Sequence, residues 1–485
     1  MKQRLRTLRE EVLEEEAQQE ALLRHVHPSN RPSARNLIHY LVLRRGDMRQ
    51  LQADLAWVGL SSLGRTESHV LVSLDRVLAM LALSTGDELG TYDHAAPVGF
   101  RQGDELLQLH TAQLLGAGRP HRRVRIAVTL PTEAAGDARL CEGLVKAGMD
   151  VARINCAHDD PETWRAMVGN VREAARRAGQ SLRVLMDLAG PKLRIGDVAG
   201  GALPARLRRG EAFLLVEEGR HIPEEQTGSS DWRSTCSVAE VFTQVTVGAA
   251  VWFDDGRIGG RVEGRGAGWL RIRITHAKRE GTKLRANKGI NLPETVLAVP
   301  SLRDDDLRAL AFVAGHADAV ALSFVQREED VIRLQEELAR LGGAGLGVVL
   351  KIETRAGFEN LPRLLLAVMR NERYGVMIAR GDLAVEMGFE RLAEVQEEIL
   401  WFAEAAHAPT IWATQVLETL AKTGAPSRAE VTDAAMSGRA EAVLLNKGTY
   451  ILDTIASLDD ILARMAEHQA KKRTLLRSLN ISDNL

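Results

Sequence analysis

From Arg123 to Asn446 the chain repeats one unit eight times, a short and nearly continuous apolar run followed by an amphipathic helical pattern. The runs are Val124–Leu130, Asp150–Cys156, Arg183–Leu188, Asp318–Phe324, Leu346–Ile352, Tyr374–Arg380, Pro409–Thr414 and Ala440–Asn446. A strand with no polar face must be buried on both sides, and parallel strands joined by covering helices bury it so. Eight such units predict an α/β chain closed into a (β/α)8 TIM barrel, with an open doubly wound sheet as the alternative. Residues 197–291 break the rhythm with glycines and alternating stretches such as ARLRRGEAFLLVEEG and WLRIRITHA, which predicts a small β-barrel lid inserted after the third strand. Residues 3–115 instead show apolar spacings of three and four, predicting an all-α N-terminal extension, and GAGRPHRR at 116–123 reads as the linker behind it. The expected divisions are 1–120 (helical extension), 121–196 with 292–470 (barrel), 197–291 (lid) and 471–485 (tail).

Charge and cysteine usage narrow the function classes. The 63 Lys and Arg nearly cancel the 65 Asp and Glu, leaving −2. That balance argues against a dedicated nucleic-acid binder or a polybasic membrane protein. Cys141, Cys156 and Cys236 are odd in number and form no CxxC pair, so a disulfide framework is not expected and a reducing, cytoplasmic setting is. The charged N-terminus lacks a signal peptide's apolar stretch, and no run of 18 apolar residues is present. The glycine cluster Gly342–Gly347 precedes a strand, the reverse of a dinucleotide-binding turn. His25 and His27, two residues apart, do not share a helical face and read as solvated. Lys471, Lys472 and Arg473 read as favourable charge at the end of the last helix.

In a barrel of this kind chemistry sits on the C-terminal strand ends. The second strand ends with Arg153 and Asn155 on one side, an arginine in a buried strand that points to an anionic ligand. The third delivers Asp187, then Lys192 and Arg194 around a Gly-Pro turn. The fifth alternates Lys351 and Glu353 onto one face, where a lone buried lysine would be costly. The sixth places Gly381 and Asp382 at a strand-to-helix turn suited to anion binding. Glu353 and Asp382, on adjacent strands, suit one hard cation such as Mg²⁺; a purely structural Lys351–Glu353–Asp382 ion network is the competing reading. The seventh strand ends on the hydroxyl of Thr414. A cation, a lysine, two arginines and an amide nest are what phosphoryl transfer requires, with the inserted domain as its lid.

VARINCAH, MDLAGPKLRIG, FDDG, NKGINLP, ALSFV, KIET, MIARGDLAVE, ATQVLET and PSRAE, in this order, resemble pyruvate kinase over roughly Arg123 to Asn446. The resemblance implies transfer of the phosphoryl group of phosphoenolpyruvate to ADP, giving pyruvate and ATP. It implies catalytic roles for Lys351, Arg153, Thr414 and Arg194 and substrate contacts from Arg153, Lys351, Gly381, Asp382 and Thr414. Pro131, Arg194 and Lys288 would meet the nucleotide, Glu353 and Asp382 would hold Mg²⁺ (or Mn²⁺), and a homo-oligomer is expected. Most of the family carries a glutamate at the position of Lys192 and fills a nearby pocket with K⁺, using groups equivalent to Asn155, the residue at Ala157, Asp187 and the carbonyl of Leu188. With Ala157, Leu188 and Lys192 in those places, the lysine ammonium is expected to stand in near Asp187 and K⁺ not to be required. The eighth strand ends Asn446-Lys447-Gly448-Thr449 where Ser-Gly-Glu-Thr is typical, which removes a serine and a carboxylate from the proton-delivery route. The family's C-terminal allosteric domain has no match in this sequence, so kinetics insensitive to sugar phosphates are expected. Two competing readings are a catalytically silent relative that senses metabolites or binds a partner, and a carbon–carbon lyase on a related pyruvate-binding barrel.

Overall fold

The computed structural model describes residues 1–86, 96–200, 206–222, 230, 232–471 and 473–474. Eight parallel strands close on themselves: β1 (Arg125–Thr129), β2 (Val151–Asn155), β3 (Arg183–Asp187), β4 (Ala319–Leu322), β5 (Gly347–Ile352), β6 (Tyr374–Ala379), β7 (Thr410–Ala413) and β8 (Ala442–Leu445). The ring is sealed where Arg125 of β1 faces Ala442 of β8. All eight fall inside the expected apolar runs, because Val, Ile, Leu and Ala on both faces leave no surface that tolerates water. The open doubly wound sheet is thereby excluded.

The lid leaves the barrel after β3. Its described strands form an open seven-stranded mixed sheet and a two-stranded ribbon, Arg206–Leu207 with Thr282–Lys283, where a small closed barrel was expected. It has its own core, in which Phe213 and Phe253 meet edge to face at 5.2 Å. No described helix is long and apolar enough to cross a membrane.

The N-terminal helices do more than extend the chain. The last of them, Gln102–Leu115, drives Leu114 and Leu115 into the lower end of the barrel, where they join Val151, Leu185, Val349, Met377 and Ile411 in one cluster. Glycines at the starts of β5 and β6 make room. A Cβ at Gly347 would lie 2.4 Å from Leu114 Cδ1, and one at Gly375 2.6 Å from Cδ2. The 116–123 segment is pinned as well: Arg122 is fully buried and pairs with Asp150 (2.6 Å) and Asp459 (2.5 Å). Lys471, expected as charge at a helix end, is instead buried against Glu441 (2.7 Å), whose carboxylate also accepts from Thr410 N. Lys472 lies outside the described residues.

Histidines form the seam between extension and barrel. His407 accepts from the Ser33 hydroxyl through Nδ1 (2.9 Å) and donates through Nε2 to Ser68 O (2.9 Å), while His110 Nδ1 donates to His407 O (2.8 Å). Burial pushes the His407 imidazole down to about 3. A group depressed in the folded state takes up its proton more readily when unfolded, so its contribution is complete above pH 6.5 and is lost as pH falls towards 3. By pH 5 the loss should reach about 2 kcal/mol. Chemical denaturation at pH 7 and pH 5 checks this: His407→Gln should be less stable at pH 7 but lose less on acidification, and an unchanged pH slope would contradict the assignment.

Candidate active site

The C-terminal strand ends surround a cleft of about 400 Å³. At its base lies Asp187, the last residue of β3 and completely buried. Its Oδ2 accepts from Arg153 Nε (2.8 Å) and Nη2 (2.6 Å), and its Oδ1 lies 3.1 Å from Lys351 Nζ. Arg153 also donates to Thr129 Oγ1 (2.9 Å). Lys351 in turn reaches Glu353 Oε1 (3.2 Å) and Ser323 Oγ (2.6 Å), and the other Glu353 oxygen accepts from Phe324 N (2.7 Å). The alternation read from KIET thus brings both side chains to one face.

Burial works against every charge here, and the partners decide the outcome. It pushes the Asp187 carboxyl up, but Lys351 and Arg153 outweigh it and hold the group below the usual carboxylate range. It pushes the Lys351 ammonium down, yet Asp187 and Glu353 hold it above its ordinary value. Glu353 is the exception. Burial raises it, Lys351 opposes, and the charges of Asp382 and Asp187 raise it further. Glu353 and Asp382 are carboxylates that raise one another's cost of ionisation beside an open cleft, each with one lysine partner, and such a pair of oxygen donors is what a divalent cation needs. No described cluster of three or more His, Cys, Asp or Glu could hold a metal alone, so the remaining ligands would be water and substrate oxygens, as suits Mg²⁺.

The sixth strand runs into the helix Arg380–Met387. Gly381 N donates to Thr414 Oγ1 (2.7 Å), joining the β6 and β7 ends. Thr414, Gln415 and Leu417 all have positive φ (65°, 56° and 47°), strain of the kind that collects at ligand sites. Arg380 turns away, bidentate to Asp433 and 4.8 Å over the Trp412 ring.

Several predicted residues lie elsewhere than expected. Lys192 does not approach Asp187; its Nζ sits 3.0 Å from both oxygens of Asp382. The reason is saturation, since Asp187 is already held by Arg153, Lys351 and Ser323. The Leu188 carbonyl is likewise taken by the Ser323 hydroxyl (2.6 Å), and Asn155 Oδ1 accepts from Ala157 N (3.1 Å). Lys351 also pairs with Asp187 and Glu353 rather than with Asp382. Arg194 lines the cleft and donates to Asn287 O (2.9 Å), whereas Lys288 is paired with Asp254 (2.7 Å). Neither Lys288 nor Pro131 is among the lining residues. On the loop after β8, Gly448 is pressed against the backbone so closely that a Cβ would come within 2.3 Å of Ala421 O, so no carboxylate side chain can stand there.

Ser323 was missed. It bridges Lys351, Asp187 and Leu188, and its signal was a polar residue closing the apolar run ALSFV. Asn291, within NKGINLP, also reaches the site, its amide lying 3.2 Å from Glu386 and 3.5 Å from Asp382.

A family model described as pyruvate kinase, barrel domain, matches residues 121–451. The chain belongs to the pyruvate kinase family. Curated pyruvate kinases resemble it at moderate identity. That of Bacillus licheniformis is 29% identical over 369 residues, 74% of this chain and 60% of its own length. Those of Mycobacterium intracellulare (34% over 333 residues, 68% and 66%) and Mycobacterium tuberculosis (32% over 354 residues, 72% and 71%) are similar. The chain thus spans about three fifths of the length of the first of these relatives. Within the pyruvate kinase match lie Arg153, Asp187, Lys351, Glu353, Asp382 and Thr414, while the helices packed beneath the barrel precede it.

Proposed function

We propose that the barrel mouth transfers the phosphoryl group of phosphoenolpyruvate to ADP, producing pyruvate and ATP. The observation that carries this reading is Lys351, a buried ammonium clamped between Asp187 and Glu353 at the edge of the cleft. Held so, it cannot swing away, and its charge is fixed before negative charge grows on the enolate oxygen. Arg153, oriented by Asp187 and Thr129, grips the transferring phosphate. The Asp382 amide, with Thr414 beside it, receives the substrate carboxylate, joined by the Gly381 amide once that N–H leaves Thr414 Oγ1. Arg194 faces the nucleotide phosphates, with Lys288 and Pro131 as outer contacts once the lid approaches. Glu353 and Asp382 would hold Mg²⁺ (or Mn²⁺), which supplies charge neutralisation between the phosphates. The bond between the enol oxygen and phosphorus breaks as a β-phosphate oxygen of ADP bonds to that phosphorus, and the enolate carbon takes up a proton from water. Pyruvate formation followed with and without ADP tests the proposal: formation that requires ADP supports it, and formation without ADP would make the protein a hydrolase or lyase.

The Asn446–Gly448 loop favours a second reading, a relative that binds phosphoenolpyruvate without completing turnover, because the family's carboxylate cannot be accommodated at Gly448. In that case phosphoenolpyruvate binds and no pyruvate appears.

Activity should not depend on K⁺. Lys192 brings a positive charge to the mouth, and the groups that would ligate K⁺ already accept hydrogen bonds or ion pairs from Arg153, Lys351, Ser323 and the Ala157 amide. Turnover in tetramethylammonium buffer free of K⁺ and NH₄⁺ should be close to that with added KCl at the same ionic strength. Activation of tenfold or more by K⁺ would contradict the expectation.

A further inference from the structure

The lid meets the barrel through two chain crossings, and a side chain on each reaches towards one carboxylate. The crossings are hydrogen-bonded to each other: Ile195 N donates to Lys288 O (3.0 Å), Asn287 N to Ile195 O (2.8 Å) and Ile290 N to Leu193 O (2.9 Å). Joined in this way they form a short ribbon that shifts as a unit, since moving one strand alone would break all of these bonds. On the outgoing strand Lys192 Nζ lies 3.0 Å from each oxygen of Asp382. Its stem crosses the returning strand, where a Cβ at Gly289 would be 3.2 Å from Lys192 Cε. On the returning strand the Asn291 amide lies 3.5 Å from Asp382 and 3.2 Å from Glu386, and its Oδ1 is buried without a hydrogen-bond partner among the described residues. Arg355 adds a brace, donating to Pro293 O (3.2 Å) and to Glu386 O (3.3 Å).

We propose that the Lys192–Asp382 ion pair is a latch holding the lid ribbon against the helix Arg380–Met387, and that Asp382 can serve a divalent cation only after the latch has let go. This rests on the reading of Asp382 as one of the two cation ligands. The ammonium lies against both carboxylate oxygens, so a divalent cation bound to Asp382 would sit beside it and the two positive charges would repel one another. With side-chain exposures of 26% and 14% the pair borders the open cleft, so a divalent cation can reach Asp382 and displace the ammonium. Release of Lys192 frees one side of the ribbon, so cation binding and loosening of the lid crossings become one event.

The test uses the full chain without substrate, with Mn²⁺ as the probe, reading free Mn²⁺ by electron paramagnetic resonance and hydrogen exchange at residues 190–195 and 287–293. Lys192→Met should bind Mn²⁺ about tenfold more tightly, the ratio for a latch closed in nine molecules of ten. In the unmodified chain Mn²⁺ should speed exchange in both segments. In Lys192→Met exchange should already be fast and insensitive to Mn²⁺, while Lys192→Arg should behave as the unmodified chain. Equal Mn²⁺ affinity in the unmodified and Met chains would overturn the latch. So would tighter binding without any change in exchange, which would be removal of a charge and nothing more. Mn²⁺ binding that Asp382→Asn fails to weaken would instead overturn the cation reading beneath it.

Discussion

Lys351→Ala should lower turnover roughly a thousandfold or more while leaving phosphoenolpyruvate binding measurable. Its ammonium is clamped by two carboxylates and a serine, so it is oriented in advance for charge that develops as the phosphate departs. Ground-state binding retains Arg153, which keeps its own bonds to Asp187 and Thr129. The same substitution leaves Glu353 buried with fewer positive neighbours, and breaking a buried pair costs about 3–5 kcal/mol of stability. Denaturation and equilibrium binding of phosphoenolpyruvate must therefore accompany the kinetics. A folded Lys351→Ala protein with a turnover loss under about tenfold would remove the lysine from the mechanism.

Removing residues 1–115 should abolish folding of the barrel. Leu114 and Leu115 fill the barrel's lower end, and the extension shares the main hydrophobic core with the barrel helices, Tyr40 meeting Phe402 edge to face at 5.9 Å. Without it the Asn30 bonds to Met369 O and Asn371 O and the Asn36 bond to Ala405 O would be lost, and His407 would lose both ring partners. A single substitution measures the effect more gently: Leu114 is 2% exposed, and Leu114→Ala should cost about 2–5 kcal/mol in chemical denaturation. A soluble, cooperatively folding 116–485 fragment would show the plug to be dispensable.

The barrel was legible because each strand is apolar on both faces, a pattern no amphipathic surface element produces. Lys351 and Glu353 were legible for a related reason, since charges in such a strand are expensive and alternation fixes their common face. The partner of Lys192 was not. Its position five residues after Asp187 points to that carboxylate, and only the donors already spent on Asp187 send it across the mouth to Asp382. Leu114 escaped for a different reason: helical periodicity shows that a face is buried, never which core receives it. Lys471 looked like helix-end charge because a run of cations hides the one that turns inward to Glu441.

The most direct test of the central claim is phosphorus NMR of the purified chain with Mg²⁺, phosphoenolpyruvate and ADP in buffer free of K⁺. The account predicts that the phosphoenolpyruvate resonance falls as the γ-phosphate of ATP rises in equal amount, and that Lys351→Ala shows neither change over the same period. Release of inorganic phosphate without ATP, or an unmodified chain that binds phosphoenolpyruvate and leaves it intact, would contradict it.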